Sequence, residues 1–174
     1  GHIDYGENKV QEAVEKWTEI KKFNAQVKLH MIGKLQTNKV KQAVKVFDYI
    51  HSVDNEKLVN ALSKAEIDSN KKLNYFIQVN LGNEEQKSGI QKNILDDFFY
   101  FCTKEKNLNI IGLMAIPPND GREKDYFKYL EVANKSLGLK ELSMGMSADY
   151  KTALEFNSTF LRIGSLIFGE RFNK

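Results

Sequence analysis

The sequence predicts an α/β protein built of parallel strands covered by helices. Three observations carry this. About seven short apolar runs alternate with amphipathic segments along the 174 residues. The runs are near-continuously apolar, the signature of strands buried on both faces. Neither a linker nor a low-complexity break interrupts the alternation, so the whole chain reads as one domain, 1–174.

The elements follow in order. HIDYG is strand-like, and Val10, Ala13, Val14, Trp17 and Ile20 share one face of a helix. VKLHMIG is the second strand, followed by a helix over Thr37 to Val46. FDYIHSV is the third; Asp54 is placed to cap the next helix, which carries Leu58, Val59, Leu62 and Ala65. LNYFIQVNL is the fourth and clearest strand. The polar loop GNEEQKSGI separates it from a helix over Asn93 to Lys104. LNIIGLMAI is stopped by Pro117-Pro118, and a helix over Arg122 to Leu137 follows. After the sixth strand, LKELSM, Gly145 makes the turn and Ser147 is placed to cap a helix over Ala148 to Phe156. STFLRIG is the seventh strand, and Ser165 starts a last helical piece.

Two architectures fit repeated βα units: an open doubly wound sheet, or a closed (β/α)8 barrel. The barrel needs one strand more than is visible, and the chain begins abruptly on a strand without a methionine. A TIM barrel that lacks its first βα unit accounts for both observations.

Composition excludes several classes. The net charge of +3 is small and scattered, without a basic tract suited to nucleic acid. The lysines from Lys34 to Lys45 have helical spacing and read as a solvated face. No apolar stretch approaches the length that crosses a membrane, and no signal peptide opens the chain. Cys102 is the single cysteine, set in the apolar run FFYFC. It reads as a core thiol in a reducing, cytoplasmic setting. No His/Cys cluster has metal-ligand spacing.

In parallel α/β proteins the chemistry gathers at the carboxyl ends of the strands. Those ends carry Asn8, His30, His51, Asn80, Met114, the turn Ser143 to Ser147, and Arg162 with Gly164-Ser165. If the first strand is absent, MGMSADY and RIGSLIFG are the two loops with which such barrels often hold phosphate. Glycine admits backbone N–H groups close to an anion, and Ser147 and Ser165 each offer a hydroxyl. Ordinary turn chemistry explains the same Gly-Ser pairs. Arg162 stands out, because arginine occurs only at 122, 162 and 171 and a charge at a strand end needs a partner. His30 and His51 each read as a hydrogen-bonded core group or a functional one. Asn8 reads as a helix cap or a ligand contact, and Lys87 as a loop salt bridge.

Several segments bring a family to view. YGENKVQEA, HMIGKLQTNKVK, HSVD, QVNLGNEEQKSGI, IGLMAIPP, LSMGMSADY and LRIGSLIFGER occur in family order and span essentially the whole chain. The chain resembles the YggS/PROSC family of pyridoxal phosphate homeostasis proteins. The resemblance implies a barrel of the alanine racemase N-terminal type, fold type III, and bound pyridoxal 5′-phosphate (PLP). It implies phosphate contacts at Ser147, Gly164 and Ser165 and a cofactor-side arginine at Arg162. It places Asn8 and His30 in the ring pocket and Met114 and Met146 on its wall. The family's cofactor-linking lysine lies on the first barrel strand, in a segment like AVSK-x-K. No lysine here matches it.

A racemase of this fold needs a second base, a tyrosine from a separate C-terminal β domain, for which the chain leaves no room. The expected role is therefore a monomeric, non-catalytic PLP carrier or reservoir in intracellular homeostasis, with PLP-dependent apoenzymes as its partners. The alternatives are a racemase-like PLP enzyme and a phosphate-binding barrel enzyme without PLP. A protein–protein adaptor has no groove-binding stripe to support it.

Overall fold

Inward- and outward-facing side chains alternate along every strand, and that alternation sorts the interior into two cores. The computed structural model describes residues 1–82 and 88–169; Lys87 and Arg171 fall outside them. Seven parallel strands run in sequence order: β1 (Asp4–Glu7), β2 (Lys28–Met31), β3 (Tyr49–Val53), β4 (Asn74–Gln78), β5 (Asn109–Met114), β6 (Glu141–Met146) and β7 (Phe160–Arg162). Helices α1 (Val10–Phe23), α2 (Val40–Val46), α3 (Glu56–Ser69), α4 (Leu95–Tyr100), α5 (Glu123–Ser136), α6 (Tyr150–Glu155) and α7 (Ser165–Phe168) alternate with them. The sheet curls into a nearly closed barrel. The rings of His30 on β2 and Phe160 on β7 come within 5.7 Å across the interior. Among the described residues no ladder joins β7 to β1.

The outward side chains of the strands meet the helices. Leu29, Ile50, Ile77 and Leu113 are fully buried there, with Ala13, Val44, Leu62 and Phe127 among the facing residues. Each such side chain contributes roughly 1.5–3 kcal/mol. Two buried polar groups pin helices to strand starts. Glu66 on α3 accepts from the Leu73 amide at 2.7 Å, the Tyr75 hydroxyl at 2.9 Å and Lys72 Nζ at 2.8 Å. Asn134 on α5 accepts from the Leu113 amide at 3.0 Å and donates to the Leu139 carbonyl at 3.1 Å.

The inward side chains are of a different kind. Tyr49, His51, Phe76, Phe160 and His30 form an aromatic cluster, with His51 stacked 4.3 Å from Phe76 and His30 4.2 Å from Tyr49. Gly112 makes room for it. A Cβ there would lie 2.9 Å from the Phe76 ring and 1.9 Å from the Glu141 carbonyl oxygen.

Three expectations need correction. Asn55, not Asp54, caps α3: its backbone is extended and its side chain accepts from the Leu58 amide at 2.9 Å. Asp54 instead accepts from Asn55 Nδ2. The helix expected over Asn93 to Lys104 is divided into a 3₁₀ turn at Lys92–Ile94, α4, and a π-helical turn at Phe101–Glu105. Ser147 does not cap α6; the Asp149 carboxylate takes the Met146 amide at 2.6 Å, and the Ser147 hydroxyl serves the next loop.

Candidate functional site

The loops after β6 and β7 meet at the carboxyl end of the barrel. Gly145 lets the first of them turn. Its φ is +92°, and a Cβ would lie 2.7 Å from the Ala153 Cβ, so only glycine fits. The turn delivers the Ser147 hydroxyl to the second loop, where it accepts from the Gly164 amide at 3.3 Å and the Leu166 amide at 3.4 Å. Gly164 lies over open space, since a Cβ there would meet nothing within 4 Å. The amides of Ser147, Ala148 and Ser165 have no partner among the described residues. Two hydroxyls and several outward N–H groups around an open space suit a multi-oxygen anion. Met146, 37% exposed, flanks it.

Arg162 ends β7 directly beneath this cradle. Its Nη1 donates to Ser143 Oγ at 2.7 Å and its Nη2 to the Ala115 carbonyl at 2.8 Å. The remaining N–H groups of the guanidinium have no partner among the described residues. Burial lowers its pKa to about 10, with Asp149 opposing the shift, so it remains a cation at neutral pH. Met114 is fully buried at the end of β5, in ladder register with Ser143.

Below Arg162 a line of polar side chains crosses the barrel. Ser143 Oγ lies 2.7 Å from His51 Nδ1. His51 Nε2 lies 3.0 Å from His30 Nδ1, and His30 Nε2 lies 3.1 Å from Asp4 Oδ1. Burial lowers the pKa of both histidines. For His51, the neighbouring His30 and Arg162 add to the effect and hold it well below the usual value. Both rings are neutral at pH 7.

The structure thus gathers Met146, Ser147, Arg162, Gly164 and Ser165 into one cluster, with Met114 buried alongside. His30 lies inside the barrel, 5% exposed and bonded to Asp4 and His51. Asn8 is exposed at the same end of the barrel. It lines a cavity of about 330 Å³ with Gly33, Lys34, Gln78, Asn80 and Ser88. Gly33 is required there, as a Cβ would fall 2.3 Å from the Asn8 carbonyl oxygen. Sequence reasoning missed the participation of Asp4 and gave Ser143 no role beyond its turn. Inward alternation along β1 and β6 was the available signal.

The chain is similar to known proteins over nearly its full length. The alanine racemase N-terminal domain family matches residues 1–172. A pyridoxal phosphate homeostasis protein of Aquifex aeolicus is 38% identical over 176 residues, covering 96% of this chain and 76% of that protein. One of Escherichia coli K12 is 36% identical over 183 residues, covering 98% and 77%. PipY of Synechococcus elongatus PCC7942, solved with PLP bound, superposes with a TM-score of 0.88 at 31% identity, covering 97% of this chain and 82% of that one. An alanine racemase of Clostridium difficile 630 shares the fold at a TM-score of 0.75 with 10% identity, covering 100% of this chain and 46% of that one. The nearly closed barrel, the paired loops after β6 and β7, and these likenesses together place the chain in the alanine racemase N-terminal domain family, among the relatives named pyridoxal phosphate homeostasis proteins.

Proposed function

We propose that the protein binds PLP at the carboxyl end of its barrel and serves intracellular PLP homeostasis as a carrier or reservoir, without amino-acid turnover. The observation that carries this reading is the cradle over Gly164, floored by Arg162 and roofed by Ser147. Ser147, Gly164 and Ser165 hold the phosphate through hydroxyls and backbone N–H groups. Arg162 faces the pyridine ring. A guanidinium has donors only, so the ring nitrogen it meets acts as acceptor. Met146 and Met114 wall the ring, and Asn8 and His30 belong to the surroundings of the ring pocket. The relative solved with PLP bound supports the ligand.

When bound, PLP supplies a reactive aldehyde. The chain's own residues orient the cofactor and neutralise its phosphate. The two buried histidines are tied to each other and to Ser143 and Asp4, which supports holding over proton abstraction. In this reading the protein is a cytoplasmic monomer, and residues 1–174 belong to one barrel domain. The gap between β7 and β1 is where the lysine-bearing strand belongs. PLP-dependent apoenzymes receive the cofactor.

The test uses protein expressed from the complete reading frame, mixed with PLP, reduced with borohydride, digested and mass-mapped. A visible absorption band together with a modified lysine upstream of the segment that begins at Gly1 supports the reading. Absence of colour and of modification overturns it in favour of a phosphate-binding barrel without PLP. Amino-acid turnover near 1 to 10³ per second, as enzymes show, overturns the carrier role.

A further inference from the structure

The polar line across the barrel has one feature that packing alone does not require: its direction is fixed. Arg162 has only N–H donors, so Ser143 Oγ accepts from it at 2.7 Å. Asp4 is an acceptor, so His30 Nε2 carries the proton between them, at 3.1 Å. His30 Nδ1 is then the acceptor of this neutral ring, and His51 Nε2–H donates to it at 3.0 Å. His51 Nδ1 is left as acceptor, and the Ser143 hydroxyl donates its proton there at 2.7 Å. Every group has one role, and each is forced by its neighbour. The sequence runs Arg162 to Ser143 to His51 to His30 to Asp4, from a cation at the carboxyl end to an anion at the amino end.

We propose that Ser143, His51, His30 and Asp4 are positioning residues for Arg162, acting as one directional hydrogen-bond chain that presents the guanidinium to a pyridine-type ring nitrogen in the pocket above. The proposal rests on the reading that Arg162 faces the PLP ring. The chain spends the Ser143 proton on His51, so Ser143 can only accept from Arg162 and cannot compete for the ligand. It also fixes the guanidinium at two points, Ser143 Oγ and the Ala115 carbonyl, leaving its other N–H groups for the ring. The aromatic cluster of Tyr49, Phe76 and Phe160 surrounds the two buried histidines and keeps water from replacing either ring.

Two measurements separate the chain from the cofactor reading. The chain contains only His2, His30 and His51, so ¹⁵N-edited spectra of the ligand-free protein at pH above 7 resolve the tautomers. The expected result is a proton on Nε2 and a bare Nδ1 in both His30 and His51. A proton on Nδ1 of either ring overturns the chain. The second measurement is the visible spectrum and affinity of added PLP. Ser143→Ala is expected to shift the absorption maximum and weaken binding at least fivefold, with Ser143→Thr, which keeps the hydroxyl, restoring both. Asp4→Leu, which removes the acceptor at the half-exposed far end, is expected to shift the maximum in the same direction. Packing alone predicts no spectral effect from Asp4, so a wild-type spectrum in Asp4→Leu with normal folding overturns the positioning role. Failure of the wild-type protein to bind PLP overturns the cofactor reading and the role assigned here, while the tautomers still decide whether the directional chain exists.

Discussion

Ser143 and His51 lie 92 positions apart in sequence and 2.7 Å apart in the barrel, on opposite walls of its interior. Only the curling of the sheet brings β6 to β3. The pair joins a strand-end arginine to two neutral histidines, and it ties stability to pH.

The histidines set that pH dependence. Burial lowers both pKa values in the folded protein below the ordinary 6.5. Between the folded and unfolded pKa values the unfolded chain therefore binds more protons. Their contribution is fully present above pH 6.5 and is lost as pH falls below it. The loss reaches up to about 1.4 kcal/mol per pH unit for each ring. Urea melts at pH 7 and pH 5 measure it. His51→Phe, which removes the titrating ring, is expected to flatten the dependence.

Glu66 predicts a stability effect away from the site. Glu66→Ala leaves the Tyr75 hydroxyl and the Leu73 amide without their shared acceptor, in a place where both are buried. The cost is about 3 kcal/mol. Tyr75→Phe removes one partner only and costs about 1 kcal/mol. Denaturant midpoints with unchanged slopes are the expected readout.

Gly145 and Gly164 separate folding from binding. Gly145→Ala forces a Cβ into Ala153 at a positive φ, at a cost of about 1–3 kcal/mol. Gly164→Ala meets nothing in the protein and leaves the melting temperature near wild type. Its methyl group enters the proposed phosphate cradle, so PLP affinity is expected to fall about tenfold, or roughly 1.4 kcal/mol. Thermal melts and PLP titrations on both variants check the contrast.

Cys102 is expected to be silent. It is fully buried, and burial, with Glu56 adding to it, pushes its thiol pKa up to about 12. A thiol-specific reagent at pH 8 should react with the native protein only as fast as it unfolds, and at once in guanidinium. Rapid native labelling contradicts this.

Much of the fold was legible in the chain. Alternating apolar runs and helical stripes located the seven strands of the described residues. Val10, Ala13 and Trp17 form the buried face of α1 with Val14 packed beside them, whereas Ile20, expected on the same face, is 41% exposed. The failures were local. Asp54 and Asn55 are both good caps, and only the backbone angles choose between them. Ser147 has a capping residue's chemistry, yet its hydroxyl faces a loop from another βα unit.

The cradle after β6 and β7 was also legible, because glycine and serine at a strand-to-helix turn have a local meaning. So was the anomaly of Arg162. Short-range periodicity and contiguous motifs are enough to fix the order of parallel βα units, the residues buried between strands and helices, and the family. The partners inside the barrel follow from the three-dimensional fold instead. Asp4, His30, His51, Ser143 and Arg162 come from five strands, and their hydrogen bonds exist because the sheet bends until its inward faces meet. Period-2 alternation says that a side chain points inward; curvature and register say what it meets there.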